Sequence, residues 1–223
     1  MSSSIFIVAT DTDAGKTWVT TQLFKQFQDQ GLAVRALKPI ACGVQVAPSN
    51  ESAALNEDVQ QLCNIQPQRK ISDINFKTYH QPLAPALAAK VEGAFSPEAL
   101  LLWIGDLQHQ MEITLIETVG GLMTPLLATD GNVWLVSDWL QQMLDTQVLL
   151  VLPLRLGCMN QALLACAELQ RLDRSPTWIV FNDLDGNGTA DETITILMPC
   201  LKRLFGHVPK LLILNQGQQT LQL

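Results

Sequence analysis

Short apolar runs alternate with amphipathic stretches along the chain. Ile5–Thr10 is such a run and predicts a first, buried strand. From Lys16 to Gln30 the period changes: Val19, Leu23 and Phe27 recur one helical turn apart, and Gly31 ends the helix. Ala33–Pro39 reads as a second strand, stopped by Pro39, which has no N–H to pair. Residues 43–56 are polar and turn-rich and predict a mobile loop; Glu57–Cys63 follows as a short helix, and residues 71–78 show no clear period. Pro82 and Pro85 bracket a turn before a helix over Ala86–Val91, and Ser96, Pro97 and Glu98 together signal another helix start. Farther on, strands are expected over Glu112–Glu117, Val148–Pro153, Thr177–Asn182 and Lys210–Leu214. Helices are expected over Asp138–Leu144, Cys158–Arg171 and Ala190–Leu204, with a turn at Asp185–Gly188 and a frayed Gln-rich tail at 216–223.

Strand and helix alternate throughout, which implies an α/β fold: a parallel β-sheet flanked by helices on both faces. With 223 residues, a single domain over 1–223 is expected. The 48% hydrophobic content is enough for a large core. The net charge of −7 argues against nucleic acid or an anionic membrane surface as partner. No apolar run has the length of a membrane span, and Met-Ser-Ser-Ser running straight into a strand is unlike a signal peptide. The five scattered cysteines form no CxxC pair and fit reduced thiols, so a cytoplasmic protein is expected.

The chemistry concentrates behind the first strand. Ala9-Thr10-Asp11-Thr12-Asp13-Ala14-Gly15-Lys16-Thr17 joins that strand to the first helix. This is the layout of a phosphate loop: small residues turn N–H groups inward and the helix N-terminus adds positive charge, while the lysine reaches phosphates and the threonine hydroxyl joins a Mg²⁺ shell. A strict phosphate-loop pattern has glycine where this chain has Thr10.

In such sheets ligands bind beyond the carboxyl ends of the strands. Lys38 with Cys42, Glu117, and Asn182-Asp183 all stand at such ends. Glu117 suits a Mg²⁺ ligand beside Thr17, and Asp58 is a second carboxylate for it or else a helix-terminus charge. Lys38 is placed to neutralise charge on a transferring phosphoryl group. His80, His109 and His207 have no nucleophile to pair with, and the tryptophans read as core.

Taken together, the motifs resemble the dethiobiotin synthetase family nearly end to end. The family loop G-T-D-T-x-x-G-K-T is similar to residues 9–17, and K-P-x-x-S-G to Lys38–Gly43. The family's aspartate matches Asp58, its proline pair Pro82 and Pro85, and its E-G-A-G-G the run Glu117–Gly121 with Thr124-Pro125. Asp138-Trp139, Leu156-Gly157-Cys158-Met159-Asn160 and Asn182-Asp183 complete the order. The sequence departs from the pattern at Ala9, Cys42, Thr118 and Val119, and β-branched Thr118 is expected to hold the backbone off its ligand.

The resemblance implies a phosphate-loop NTPase fold and an ATP- and Mg²⁺-dependent ligase. It would close the ureido ring of dethiobiotin from 7,8-diaminopelargonate and CO₂ through a carbamic-phosphoric anhydride. Lys16 and Lys38 would be catalytic. ATP would meet Asp13, Ala14, Gly15, Lys16, Thr17, Trp18, Asp58, Glu117, Gly120, Asn182 and Asp183, with Asn182 at the purine edge. Thr17, Asp58 and Glu117 would hold Mg²⁺. Thr12, Cys42, Thr118, Gly157, Cys158 and Asn160 would bind substrate, the last three from the partner subunit of a homodimer. A nucleotide-binding paralogue without turnover, and a partition-type ATPase switch, are the competing readings. The chain lacks the extra loop lysine and the basic surface or membrane helix of the latter.

Overall fold

The computed structural model describes residues 2–44, 55–129, 131–183, 186 and 189–215. The tail at 216–223 and most of the expected loop at 43–56 and turn at 185–188 lie outside these residues.

Among the described residues six parallel strands form the main sheet: β1 (Ser3–Ala9), β2 (Val34–Leu37), β5 (Ile113–Glu117), β8 (Thr146–Pro153), β9 (Trp178–Asp183) and β10 (Lys210–Asn215). Their order is β10-β9-β8-β1-β5-β2. Side chains alternate between its two faces, as the strand period requires. Ile5, Ile7 and Ala9 of β1 join Val19, Leu23 and Phe27 of α1 (Lys16–Asp29) in one core. Phe6 and Val8 point to the opposite core, with Leu100 and Ile104 of α4 (Pro97–Gln108) and Trp139 of α5 (Val136–Gln142). That core continues through α6 (Cys158–Arg171) and α7 (Ala190–Phe205). The helices α2 (Glu57–Ile65) and α3 (Pro85–Glu92) lie between α1 and α4 in the chain, and among the described residues no helix is long and apolar enough to cross a membrane.

Ser96 caps α4 as its sequence signals, its Oγ accepting from Ala99 N at 3.1 Å. Other boundaries differ. α5 begins at Val136, two residues early, because the Asp138 carboxylate accepts from Leu135 N at 2.8 Å and so sits in the first turn. Pro39 does end the pairing of β2, but the chain resumes at once as β3 (Ile40–Cys42), which pairs with β4 (Lys77–Tyr79) in a separate two-stranded sheet. A hairpin of β6 (Pro125–Thr129) and β7 (Asn132–Leu135) is also absent from the sequence reading.

The outer edge of β2 is covered by the segment that follows α2. Gln66 mimics a neighbouring strand: its Oε1 accepts from Ala36 N at 3.3 Å and its Nε2 donates to Ala36 O at 2.7 Å. Ile74 O accepts from Lys38 N at 2.9 Å, and Asn75 Nδ2 donates to Lys38 O at 2.7 Å. Lys38 is thereby fixed at the joint between the two sheets.

Candidate active site

Every main-sheet strand ends on the same side, and a cavity of about 910 Å³ opens there. Thr12–Trp18, Lys38, Cys42, Asn56, Asp58, Glu117, Val119 and Gly120 are among its lining residues. In the loop after β1, Asp13 and Gly15 have φ of 54° and 86°. Such left-handed turns swing successive N–H groups toward one side, making a concavity for an anion. A side chain at position 15 would also collide with β9, since a Cβ there would lie 2.1 Å from Asn182 Nδ2. That amide donates to Ala14 O at 2.8 Å, so Asn182 braces the loop from β9. Its Oδ1 has no partner among the described residues. Arg155 pairs with Asp11 on the loop's other flank, a contact no local spacing signals.

Lys16 is buried, with Nζ donating to Gly120 O at 2.7 Å and Asp11 O at 3.3 Å. Burial, together with the charge of Lys38, brings its pKa down to about 8. Lys38 is buried too, and its Nζ lies 2.6 Å from Glu117 Oε1 and 2.7 Å from Asp58 Oδ2. Burial opposes its charge, but the two carboxylates outweigh that and raise its pKa. Burial likewise opposes charge on Asp58, and Lys38 outweighs it, so Asp58 is held below its ordinary value. Thr17 Oγ1 donates to Glu117 Oε1 at 2.5 Å, whereas the buried Glu117 Oε2 has no partner among the described residues. Cys42 is pushed up to about 11 by burial and by Glu92, leaving a neutral thiol rather than a nucleophile.

Several expected residues lie elsewhere. Thr118 is fully buried and its hydroxyl donates to Ile7 O at 2.9 Å, so its side chain belongs to the core beneath the cavity and does not line it. Its φ is not left-handed, so the backbone there does not call for glycine. Gly120 does, with φ of 66° and a Cβ that would meet Thr124 Oγ1 at 2.4 Å. The Cys158 side chain packs into the core, while Gly157 and Asn160 are exposed and lie outside the cavity. Asn182, expected at the purine edge, and Asp183 are both buried at the end of β9 and do not line the cavity. Asn56, in contrast, lines it, although nothing in the sequence singles it out.

A family model described as an AAA domain matches residues 3–218. Two solved structures share the arrangement at 12% identity: hydrogenase maturation factor HypB from Archaeoglobus fulgidus (TM-score 0.53, 98% of this chain and 84% of that one) and a ParA family ATPase from Chlorobium tepidum TLS (TM-score 0.52, 98% and 86%). These likenesses are of fold alone, and with the loop they define a phosphate-loop NTPase. Among curated proteins, the ATP-dependent dethiobiotin synthetase BioD of Francisella tularensis subsp. tularensis (strain WY96-3418) is 34% identical over 169 residues, which is 74% of this chain and 71% of that one. The protein of that name from Alteromonas mediterranea is 35% identical over 193 residues, 82% and 81% of the two chains. The chain belongs to the ATP-dependent dethiobiotin synthetase family.

Proposed function

We propose that the protein closes the ureido ring of dethiobiotin from 7,8-diaminopelargonate, CO₂ and ATP, in the cytoplasm. The observation that carries this reading is Lys38, buried between Asp58 and Glu117 beside the phosphate loop in one cavity. One amine adds to CO₂ and gives up a proton to solvent, forming a carbamate; a carbamate oxygen attacks the γ-phosphorus, ADP leaves, and a carbamic-phosphoric anhydride forms. The second amine then attacks the carbamoyl carbon, the C–O bond to phosphate breaks, and the amine proton passes to solvent. Lys16 and the loop N–H groups hold the phosphates, and Lys38 offsets charge where the carbamate meets them. Such chemistry needs mainly positioning and charge neutralisation. Thr12 and Cys42 line the substrate end, and Asn182 holds the phosphate loop from below through Ala14 O.

The residues present fit Mg²⁺. Thr17, Asp58 and Glu117 form a hard oxygen set, Glu117 Oε2 is an orphaned acceptor, and the Lys38 ammonium already stands between the two carboxylates as a cation. When bound there, Mg²⁺ supplies charge neutralisation to phosphate oxygens. A homodimer accounts for Gly157 and Asn160. Exposed at the start of α6, beside the fully exposed Leu156, they would serve the partner's cavity. Mixing an inactive Lys16 variant with an inactive Asn160 variant would then restore part of the activity.

The deciding assay incubates the protein with diaminopelargonate, bicarbonate, Mg²⁺ and ATP and looks for dethiobiotin by mass, with one ADP per product. Nucleotide binding without product would make the protein a non-turnover paralogue instead.

A further inference from the structure

Asn56 stands immediately before α2 and is buried. Its Oδ1 accepts from Asp58 N at 3.0 Å and Val59 N at 3.3 Å, the bonds of a helix cap. Serine or aspartate would cap equally well. The other half of the amide makes contacts that capping does not need: Nδ2 donates to Cys42 O at 2.9 Å and to Gly43 O at 2.8 Å, at the end of β3. Both donors and both acceptor positions of the amide are used.

α2 is thus tied at both ends to the stretch of chain that carries Lys38. Gln66 bonds Ala36 at one end, Asn56 bonds Cys42 and Gly43 at the other, and between them Asp58 Oδ2 meets Lys38 Nζ at 2.7 Å. A carboxylate at the second position of a short helix takes its location from the way that helix starts. We infer that Asn56 is a positioning residue, whose amide holds the Asp58 carboxylate in register with Lys38 and with the cavity wall at Cys42–Gly43. Its consequence for metal binding rests on the proposed role of Asp58.

The test compares Asn56→Ser, Asn56→Asp and Asp58→Asn with the parent protein. Serine keeps the cap and loses both donors; aspartate keeps the cap and sets a carboxylate against two carbonyl oxygens, and serves should the serine variant fold poorly. The first readout is the Lys38 ammonium resonance in the metal-free protein, followed by nitrogen NMR. It is expected to shift, with faster proton exchange, in all three variants. An unchanged resonance in a folded Asn56→Ser, with Asp58→Asn shifted, overturns the inference and leaves Asn56 a helix cap. The second readout is Mn²⁺ binding to the protein–ADP complex by electron paramagnetic resonance. About tenfold weaker binding is expected in the Asn56 variants, the usual scale for a lost outer partner of a metal ligand. Parent-like Mn²⁺ binding by Asp58→Asn overturns the metal role of Asp58, while the ammonium resonance still decides the role of Asn56.

Discussion

Thr17 and Glu117 are 100 positions apart in the chain, yet the Thr17 hydroxyl donates to Glu117 Oε1 at 2.5 Å. The sheet order makes this possible. β1 and β5 are neighbours in register, Ile7 opposite Glu117, so the loop after β1 and the last residue of β5 emerge together. The contact joins the nucleotide loop to the carboxylate that also holds Lys38.

Replacing Glu117 with glutamine keeps the shape and removes the charge. The Mg²⁺ concentration for half-maximal turnover is expected to rise about tenfold or more. Initial rates against Mg²⁺, with circular dichroism as a control for folding, check this. A parent-like titration curve would place the metal ligand elsewhere.

Lys16→Ala removes the ammonium now held by Gly120 O and Asp11 O. The specificity constant for ATP is expected to fall about 10²-fold or more, as for other groups that stabilise a developing anion. Unaltered turnover in the folded variant would dispose of the phosphate-loop role.

Thr118→Gly is expected to harm the protein rather than improve it. The buried hydroxyl bond to Ile7 O is lost and a small void opens, together costing about 1–3 kcal/mol in urea unfolding. The specificity constant is expected not to rise. A gain in turnover without loss of stability would restore the view that the side chain obstructs the ligand.

Glu92 makes stability depend on acid. Its carboxylate accepts from His80 N at 2.8 Å, the His80 ring at 2.9 Å and Gln81 N at 3.1 Å, which bring its pKa down to about 2. The folded value lies below the unfolded one. The stabilisation is therefore complete above the ordinary glutamate range and disappears as pH falls through that range toward 2. Urea midpoints of the parent and Glu92→Gln are expected to differ at pH 7 and to converge near pH 2. A constant difference would rule out the ionised carboxylate as the cause. The loop it secures carries Pro82 and Leu83 to the cavity rim.

The parts legible in the sequence were those with a full local period or a complete chemical signature. α1 shows four helical turns and opens with Gly15-Lys16-Thr17, and α6 was read with its bounds unchanged. β3 and β4, three residues each, are too short for alternation to register. Lys38, Asp58 and Glu117 each stood out by position, but their meeting depends on strand order and on the place where β2 gives way to β3. The burial of Thr118 does not show in the sequence, because the acceptor for its hydroxyl lies on another strand. Asn56 closes the stretch expected to be a loop, and one pair of its partners lies 13 and 14 residues back, beyond the reach of a local pattern.

The covered edge of β2 bears on how the protein behaves when crowded. A bare outer strand offers a template onto which another chain can add. Here a newcomer would first have to evict the Gln66 amide from Ala36 and the Ile74 and Asn75 groups from Lys38. Those displacements would disturb Lys38 itself, so on this flank a molecule recruited into strand-to-strand aggregation would lose the placement of Lys38 between Asp58 and Glu117 before the sheet grew by one strand.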